Sequence, residues 1–187
     1  MSQVRRLNDI ALERWKNGGG VTRTLARQGD DWRVSIANIE RDGAYSSFPG
    51  MLRLSRLLRG AGVRLHHGDT CVMLEPGMTT SYDGAPAWQA YLKNGPCESL
   101  NVMARADSYQ LSLESITHEA VIPSLASALI LINDARLRIT DTQPLTPGDY
   151  IVLPASGIKR HVQVESYAQR PPLLILIEPR ADHQDSV

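Results

Sequence analysis

The sequence predicts an all-β protein, and two observations support that prediction. The chain of 187 residues consists of short apolar or alternating segments separated by Gly, Pro, Asp and Asn, which are the residues that typically end strands. No segment keeps a 3.6-residue apolar period over several turns, as an amphipathic helix would require. About a dozen short strands at such spacing favour a sandwich or a barrel.

The predicted strands run along most of the chain. They cover residues 32–39, 51–58, 63–66, 70–74, 88–92, 100–105, 109–116, 129–132, 136–140, 150–153, 161–164 and 173–177. Only residues 120–128 favour a short helical turn instead.

A weak internal repeat divides these strands into two groups. His67-Gly68-Asp69 opens the predicted strand 70–74, and Pro147-Gly148-Asp149 opens the predicted strand 150–153. The two turns are too far apart for a solenoid repeat. The sequence therefore predicts two tandem β-lobes, an N-terminal one over residues 1–106 and a C-terminal, structural one over residues 107–187.

Composition argues against nucleic acid and membranes as partners and favours the cytoplasm as the compartment. The chain has 20 Lys and Arg against 20 Asp and Glu, with a formal net charge of zero. Such a chain lacks the long-range field that attracts nucleic acid or anionic lipid. Its beginning does not resemble a signal peptide, and its longest apolar run, 173–177, is too short to cross a bilayer. With only Cys71 and Cys97 as thiols, the expected compartment is the cytoplasm.

The second half carries a motif of the cupin superfamily. Gly148-Asp-Tyr-Ile-Val-Leu-Pro154, Gly157, His161 and Glu165 resemble the second cupin motif, with one Gly displaced by a position. This resemblance implies a double-stranded β-helix barrel, also called a jelly roll.

The first half resembles one family within that superfamily, the HutD/Ves family, over about residues 4–180. The blocks that carry the resemblance are Trp15-Lys-Asn-Gly-Gly-Gly-Val-Thr-Arg23, Trp32-Arg-Val-Ser-Ile-Ala37, Asp42-Gly-Ala-Tyr-Ser-Ser-Phe-Pro-Gly50 with Arg53, Gly60-Ala-Gly62, Asp83-Gly84, Gly95-Pro96 and Asn101-Val-Met-Ala-Arg105. The resemblance implies a bicupin, two cupin lobes packed as one body. It also implies an accessory or regulatory role in histidine utilisation or stress response, and it brings no established reaction.

The histidines do not have the spacing of a cupin metal site. A His-x-His pair on a strand directs both rings to one side, whereas neighbours such as His66 and His67 point to opposite faces. His161 occupies the motif's His position, but the predicted strands 129–132 and 136–140 contain no His. The sequence therefore predicts neither a metal site nor another cofactor.

Alternation along the predicted strands of the first lobe places polar side chains together. Arg33 shares a face with Ser35, Arg53 with Ser55, and Asn101 with Arg105. Arginine offers a planar fork that suits a carboxylate, and a glycine triplet lets backbone N–H groups approach an anion. Trp15, Tyr45 and Phe48 are candidate aromatic walls. The predicted ligand-binding residues are Lys16, Asn17, Arg23, Arg33, Ser35, Ser46, Phe48, Arg53, Asn101 and Arg105.

Several alternatives remain open at this stage. One alternative is internal neutralisation of Arg33 and Arg53 by Glu40, Asp42, Asp83 or Glu98, and another is that residues 18–20 form a plain turn. The favoured function is a metal-independent protein that binds or senses a small carboxylate metabolite. One alternative is a metal-free isomerase or hydrolase acting on such a metabolite. Another is a scaffold protein with an exposed apolar patch at 129–132 or 173–177, and a homodimer is compatible with each.

Overall fold

The computed structural model describes residues 3–140, 145 and 147–181, and most of these residues lie in β-strands. The prediction of an all-β fold is confirmed. The strands in chain order are β1 Gln3–Arg6, β2 Glu13–Arg14, β3 Gly20–Gln28, β4 Trp32–Ile39, β5 Gly43–Ala44, β6 Met51–Arg59, β7 Val63–His67, β8 Thr70–Leu74, β9 Thr79–Asp83, β10 Gln89–Leu92, β11 Cys97–Arg105, β12 Tyr109–Ser115, β13 Glu119–Ile122, β14 Ser127–Leu131, β15 Ala135–Ile139, β16 Asp149–Leu153, β17 Arg160–Tyr167 and β18 Leu173–Pro179, with a short 3-10 turn at Leu7–Asp9.

The chain forms two units, and the first of them is Ile10–Asp107. It contains a six-stranded antiparallel sheet in the order β2-β3-β4-β11-β6-β9 and a four-stranded sheet in the order β5-β10-β7-β8. The two sheets share one apolar core, in which Ile39 and Leu57 of the larger sheet pack with Leu65 and Ala90 of the smaller. This unit is therefore a two-layered barrel of the jelly-roll type, in which the two sheets face each other across that core.

The second unit consists of the described residues on either side of the first. Its sheets have the orders β1-β16-β14-β18-β12 and β13-β17-β15. The first unit ends at Asp107, beside the predicted boundary, but β1 pairs with β16 and so belongs with the C-terminal strands. Residues 1, 2 and 182–187 of the two predicted lobes lie outside the described residues.

The interior of the second unit is aliphatic. Its core contains Ile130 and Ile151 from one sheet and Leu137 and Val162 from the other, each at most 1% exposed. Residues 129–132, 173–175 and 177 are likewise no more than 5% exposed, and Leu176 is half-buried. The apolar patch that the scaffold hypothesis requires at those segments is therefore absent from the described surface.

The predicted helical turn at residues 120–128 is wrong. Its first part is strand β13, in which Ala120 pairs with Val162 and Val121 with His161. The β-branched side chains of Val121 and Ile122 favour a strand, and Pro123 ends it. None of the helices in the part of the chain that the structure describes has the length and apolar character needed to cross a membrane.

Candidate functional site

The interior of the barrel formed by Ile10–Asp107 changes from apolar to polar along its length. Antiparallel pairing of β4, β11 and β6 places their inward side chains in four cross-strand rows. From the apolar end these rows are Ile39–Cys97, Ala37–Ser99–Leu57, Ser35–Asn101–Ser55 and Arg33–Met103–Arg53. The faces predicted by alternation for these three strands are the ones observed.

A cavity of about 640 Å³ opens at the polar end of this barrel. That volume lies within the range typical of small-molecule sites. Its wall combines the polar rows with β2, the turn that follows β2, and the segment after β5. The lining residues are Glu13, Arg14, Trp15, Lys16, Asn17, Thr22, Arg33, Ser35, Ala37, Ala44, Tyr45, Ser46, Phe48, Arg53, Asn101 and Met103.

Arg53 lies at the base of this cavity with its charge enclosed by aromatic rings. The residue is 5% exposed. Its guanidinium carbon lies 5.1 Å from the ring centre of Tyr82, 5.3 Å from that of Tyr45 and 5.7 Å from that of Phe48. Its Nε and Nη1 are buried and find no hydrogen-bond acceptor among the described residues. Cation–π contacts compensate only part of the cost of removing such a group from water.

Arg33 is the second cation at the polar end of the barrel, and β11 lies between it and Arg53. Its guanidinium carbon lies 5.5 Å from the ring centre of Phe48, and its Nε is also buried without an acceptor in the described part of the chain. Burial lowers the pKa of Arg33, and the nearby positive charge of Arg53 lowers it further. Glu13, in the cavity wall, opposes this shift with a weaker attraction.

Internal neutralisation of these two arginines, which the sequence left open, is not observed. Asp42 accepts the backbone N–H of Leu92 at 2.8 Å, and Asp83 accepts that of Ala85 at 2.8 Å. Glu98 instead lies 3.8 Å from Arg59. Across the described residues, neither Arg33 nor Arg53 forms an ion pair with these acids or with Glu40. Two buried or half-buried positive charges therefore border the cavity without a carboxylate partner.

Asn101 is held in a fixed orientation beside them. Its Oδ1 accepts the hydroxyl of Ser55 at 2.7 Å and that of Ser99 at 3.3 Å, while its Nδ2 donates to the carbonyl of Ser99 at 3.2 Å. The Ser55 hydroxyl in turn lies 2.8 Å from the phenol oxygen of Tyr82. Because an amide nitrogen carries two hydrogens, one donor of Asn101 remains for a molecule in the cavity.

Tyr45 adds a neutral phenol to the cavity wall. Burial raises its pKa, the neighbouring Tyr82 raises it further, and the charge of Arg53 opposes the shift. Trp15 packs edge-on against the ring of Tyr45, with centroids 5.7 Å apart. The part of the cavity wall formed by Trp15 and Tyr45 is therefore aromatic and uncharged at neutral pH.

The glycine triplet forms the turn between β2 and β3. The N–H of Gly18 donates to the carbonyl of Trp15 and the N–H of Gly19 to Oδ1 of Asn17, both at 2.9 Å. The prediction that these N–H groups approach an anion is therefore wrong for Gly18 and Gly19, because the turn itself uses them. Gly20 is required for a different reason, since a Cβ there would overlap the carbonyl oxygen of Asn38.

Eight of the ten predicted ligand-binding residues line the cavity: Lys16, Asn17, Arg33, Ser35, Ser46, Phe48, Arg53 and Asn101. Arg23 does not line it. Its strand neighbour Thr22 faces the cavity, and alternation places Arg23 on the opposite face, paired with Ile36. Arg105 is exposed at the end of β11 and lies 3.7 Å from Asp107.

A second cavity of about 350 Å³ adjoins the first. Arg33, Phe48 and Met103 line both of them. The remaining wall of the second cavity consists of Arg27, Gly29, Asp30, Trp32, Ser47, Pro49, Met51 and Arg105. Sequence reasoning missed this cavity and Arg27, since β3 was not predicted as a strand.

The histidines in the described part of the chain line neither cavity. His161, His66 and His67 are all exposed. Within the described residues, no group of three or more His, Cys, Asp or Glu side chains has a geometry that could hold a metal ion.

Comparison with known proteins identifies relatives over much of the chain. A family model described as HutD matches residues 7–169. An uncharacterized 21.2 kDa protein in the hutC 3′ region of Pseudomonas putida is 31% identical over 136 residues, which are 69% of this chain and 72% of that protein. Protein Ves of Escherichia fergusonii is 34% identical over 112 residues, so the match spans 54% of this chain and only 57% of Ves.

Solved structures with the same fold extend the comparison. HutD from Pseudomonas fluorescens SBW25, determined in a formate condition, superposes with a TM-score of 0.81 at 24% identity and covers 96% of this chain and 100% of its own. A cupin 2 conserved barrel domain protein from Leptotrichia buccalis gives a TM-score of 0.57 at 9% identity, covering 95% of this chain and 96% of its own. The predicted cupin-type fold is thereby confirmed.

Proposed function

Since this chain belongs to the HutD family, with its relative Ves, and has a cupin-like fold, we propose that it binds a small carboxylate metabolite in the barrel of Ile10–Asp107. The observation that carries this proposal is Arg53. A guanidinium that is 5% exposed, with two buried N–H donors lacking an acceptor among the described residues, is suited to a carboxylate ligand. The bound anion would supply the charge and the hydrogen bonds that the protein itself does not.

The surroundings of Arg53 support binding rather than catalysis. Asn101 and Ser35 offer further polar contacts, and the rings of Tyr45 and Phe48 exclude water from the ion pair. An ion pair in such a low-dielectric site is stronger than one at the surface. The raised pKa of Tyr45 keeps its phenol neutral, which makes it a hydrogen-bond donor to an anion and a poor general base.

The biological role that we propose is that of a sensor or accessory protein in histidine utilisation. The name of the Pseudomonas putida relative places that protein beside hutC. Carboxylates that arise in histidine breakdown are therefore the first candidates for the ligand, and formate, named in the condition of the Pseudomonas fluorescens HutD structure, is the smallest of them.

Calorimetric titration of chelator-treated protein with urocanate, formiminoglutamate, N-formylglutamate, glutamate and formate tests the proposal. We expect saturable heat with at least one of them and its loss in Arg53→Leu. Arg59→Leu is the matched control, because it removes an arginine of the same strand whose partner is Glu98, outside the cavity. Absence of binding by every compound would refute the proposal, and product analysis of the incubated ligand would reveal turnover.

Affinity for the carboxylate is expected to stay constant from about pH 6 to about pH 9. A simple carboxylate is ionised throughout that range, and arginine keeps its charge. The pKa of Tyr45 is raised, so its phenol stays protonated over the same interval. Titrations at several pH values in one ionic strength measure this. A bell-shaped profile centred inside the interval would instead indicate a titrating acid and base, as in the isomerase or hydrolase hypothesis.

A further inference from the structure

Resting on the proposed carboxylate site, we further propose that the ligand is a dianion and that the second cavity holds its second anionic group at Arg33 and Arg27. The first group binds at Arg53. The ligand class would then be short, unbranched dicarboxylates rather than monocarboxylates.

The first reason is a row of three arginines across four adjacent strands. In the outermost of the cross-strand rows, Arg53 pairs with Met103, Met103 with Arg33, and Arg33 with Arg27 of β3. Neighbouring strands are about 4.8 Å apart, so the backbones of Arg53 and Arg33 are roughly 10 Å apart. The guanidiniums of both arginines contact the ring of Phe48, so a short dicarboxylate is long enough to reach both.

Arg27 joins this row because β3 is irregular. The pairing of β3 with β4 shifts between Thr24 and Ala26, so that Leu25 is an extra residue opposite β4. Thr22 and Thr24 face the barrel interior, and without the shift Arg27 would lie on the opposite face. A bulge of this kind rotates the following side chains, which is why bulges often occur beside binding sites.

The second reason is the unbalanced charge of the row. Directly opposed like charges destabilise a pair of strands. Burial and then the charge of Arg53 lower the pKa of Arg33; Glu13 opposes this shift, and Arg27 adds a smaller lowering effect. Asp30 lines the second cavity, but in the described part of the chain it forms no ion pair with Arg27. A single monoanion would neutralise only one of three adjacent cations.

The third reason is that the two cavities share part of their wall. Phe48 and Met103 line both, so an apolar surface lies between the two cationic positions. The ring of Phe48 contacts both guanidiniums, at 5.5 Å for Arg33 and 5.7 Å for Arg53. A methylene linker would pack on this ring while each terminal carboxylate meets one arginine.

The test compares succinate, glutarate and adipate with butyrate, pentanoate and hexanoate by calorimetry. We expect one dicarboxylate to bind at least about tenfold more tightly than the monocarboxylate of equal length, since a second charge-assisted contact contributes about 1.4 kcal/mol or more. Arg27→Gln should weaken the dicarboxylate about tenfold and leave monocarboxylate affinity unchanged. Arg27 is exposed, so this substitution should not impair folding.

Arg64→Gln is the charge-matched control, because Arg64 stacks on Tyr91 outside both cavities. It should leave both series unchanged. Equal affinities of wild-type protein for the two series would overturn the dianion inference and leave the carboxylate site standing. An Arg27→Gln variant that weakened both series equally, or that left the dicarboxylates unchanged as Arg64→Gln should, would also overturn it. Binding of neither series by the wild type would reject the carboxylate site as well.

Discussion

Replacing Arg53 by leucine is expected to raise the melting temperature of the unliganded protein and at the same time to abolish carboxylate binding. The arginine buries two N–H donors without acceptors in the described structure, each of which costs about 1–3 kcal/mol. Its three aromatic contacts return roughly 0.5–2 kcal/mol each. The charge itself also loses hydration, so the balance favours an apolar side chain. A gain of about 1 kcal/mol corresponds to about 3 °C in a chain of this size.

Thermal unfolding of the wild-type protein and of Arg53→Leu, with and without the ligand found by calorimetry, measures the change in melting temperature. Wild-type protein should gain stability with ligand, whereas Arg53→Leu should begin higher and show no response. Arg53→Lys is an informative companion, because it keeps the charge and loses the planar fork. If Arg53→Leu melted several degrees lower while its folded fraction still bound ligand, Arg53 would be a structural residue.

Replacing Gly60 by alanine is expected to destabilise the barrel of Ile10–Asp107 by more than about 4 kcal/mol, among the largest effects of a single substitution. Gly60 follows β6 with a φ of 103°, where side chains are strained. An added Cβ would overlap Sγ of Cys97 and lie 2.9 Å from both the Cα of Cys97 and the carbonyl oxygen of Pro96. Two of these three contacts are with backbone atoms, so no change of rotamer can relieve them.

Gly68→Ala provides the matched control. Gly68 also has a positive φ, of 55°, but a Cβ there would meet no atom within 4 Å. Gly68→Ala should therefore lower the free energy of unfolding by only about 1 kcal/mol, which is the cost of the positive φ alone. Denaturant titration followed by circular dichroism compares the two variants. Equal losses of stability in the two variants would show that the close approach of Gly60 to β11 does not contribute to the effect.

The polar face of the site could be predicted from sequence because its strands are regular. In β4, β6 and β11 an apolar residue separates each pair of polar or inward residues: Arg33 and Ser35, Arg53 and Ser55, and Asn101 and Met103. The two-residue period of a strand therefore assigns the inward and outward faces of all three strands. What sequence could not provide was the absence of acidic partners, since that depends on which carboxylates the fold brings near.

The residues that sequence reasoning misplaced or missed lie at irregular backbone or at a strand end. Arg23, which was predicted, and Arg27, which was missed, lie on β3, whose alternating Thr and Arg carry little apolar signal and whose bulge at Leu25 reverses the faces along the strand. Arg105 continues the alternation of Asn101 and Met103, but β11 ends there, and the exposed side chain lines the second cavity instead of the first. The N–H groups of Gly18 and Gly19 were assigned to a ligand, although turn geometry already uses them.

The pairing of β1 with β16 has a consequence for the order in which the molecule assembles during synthesis. Gln3–Arg6 leaves the ribosome before its partner, residues 149–152, and all of Ile10–Asp107 is made between the two. Because domains generally fold as they emerge, the barrel of Ile10–Asp107 can fold while β1 is still unpaired. Closing so long a loop is slow, so β1 should join its sheet last. An amino-terminal fusion would then delay completion of the C-terminal unit and leave the barrel of Ile10–Asp107 unaffected.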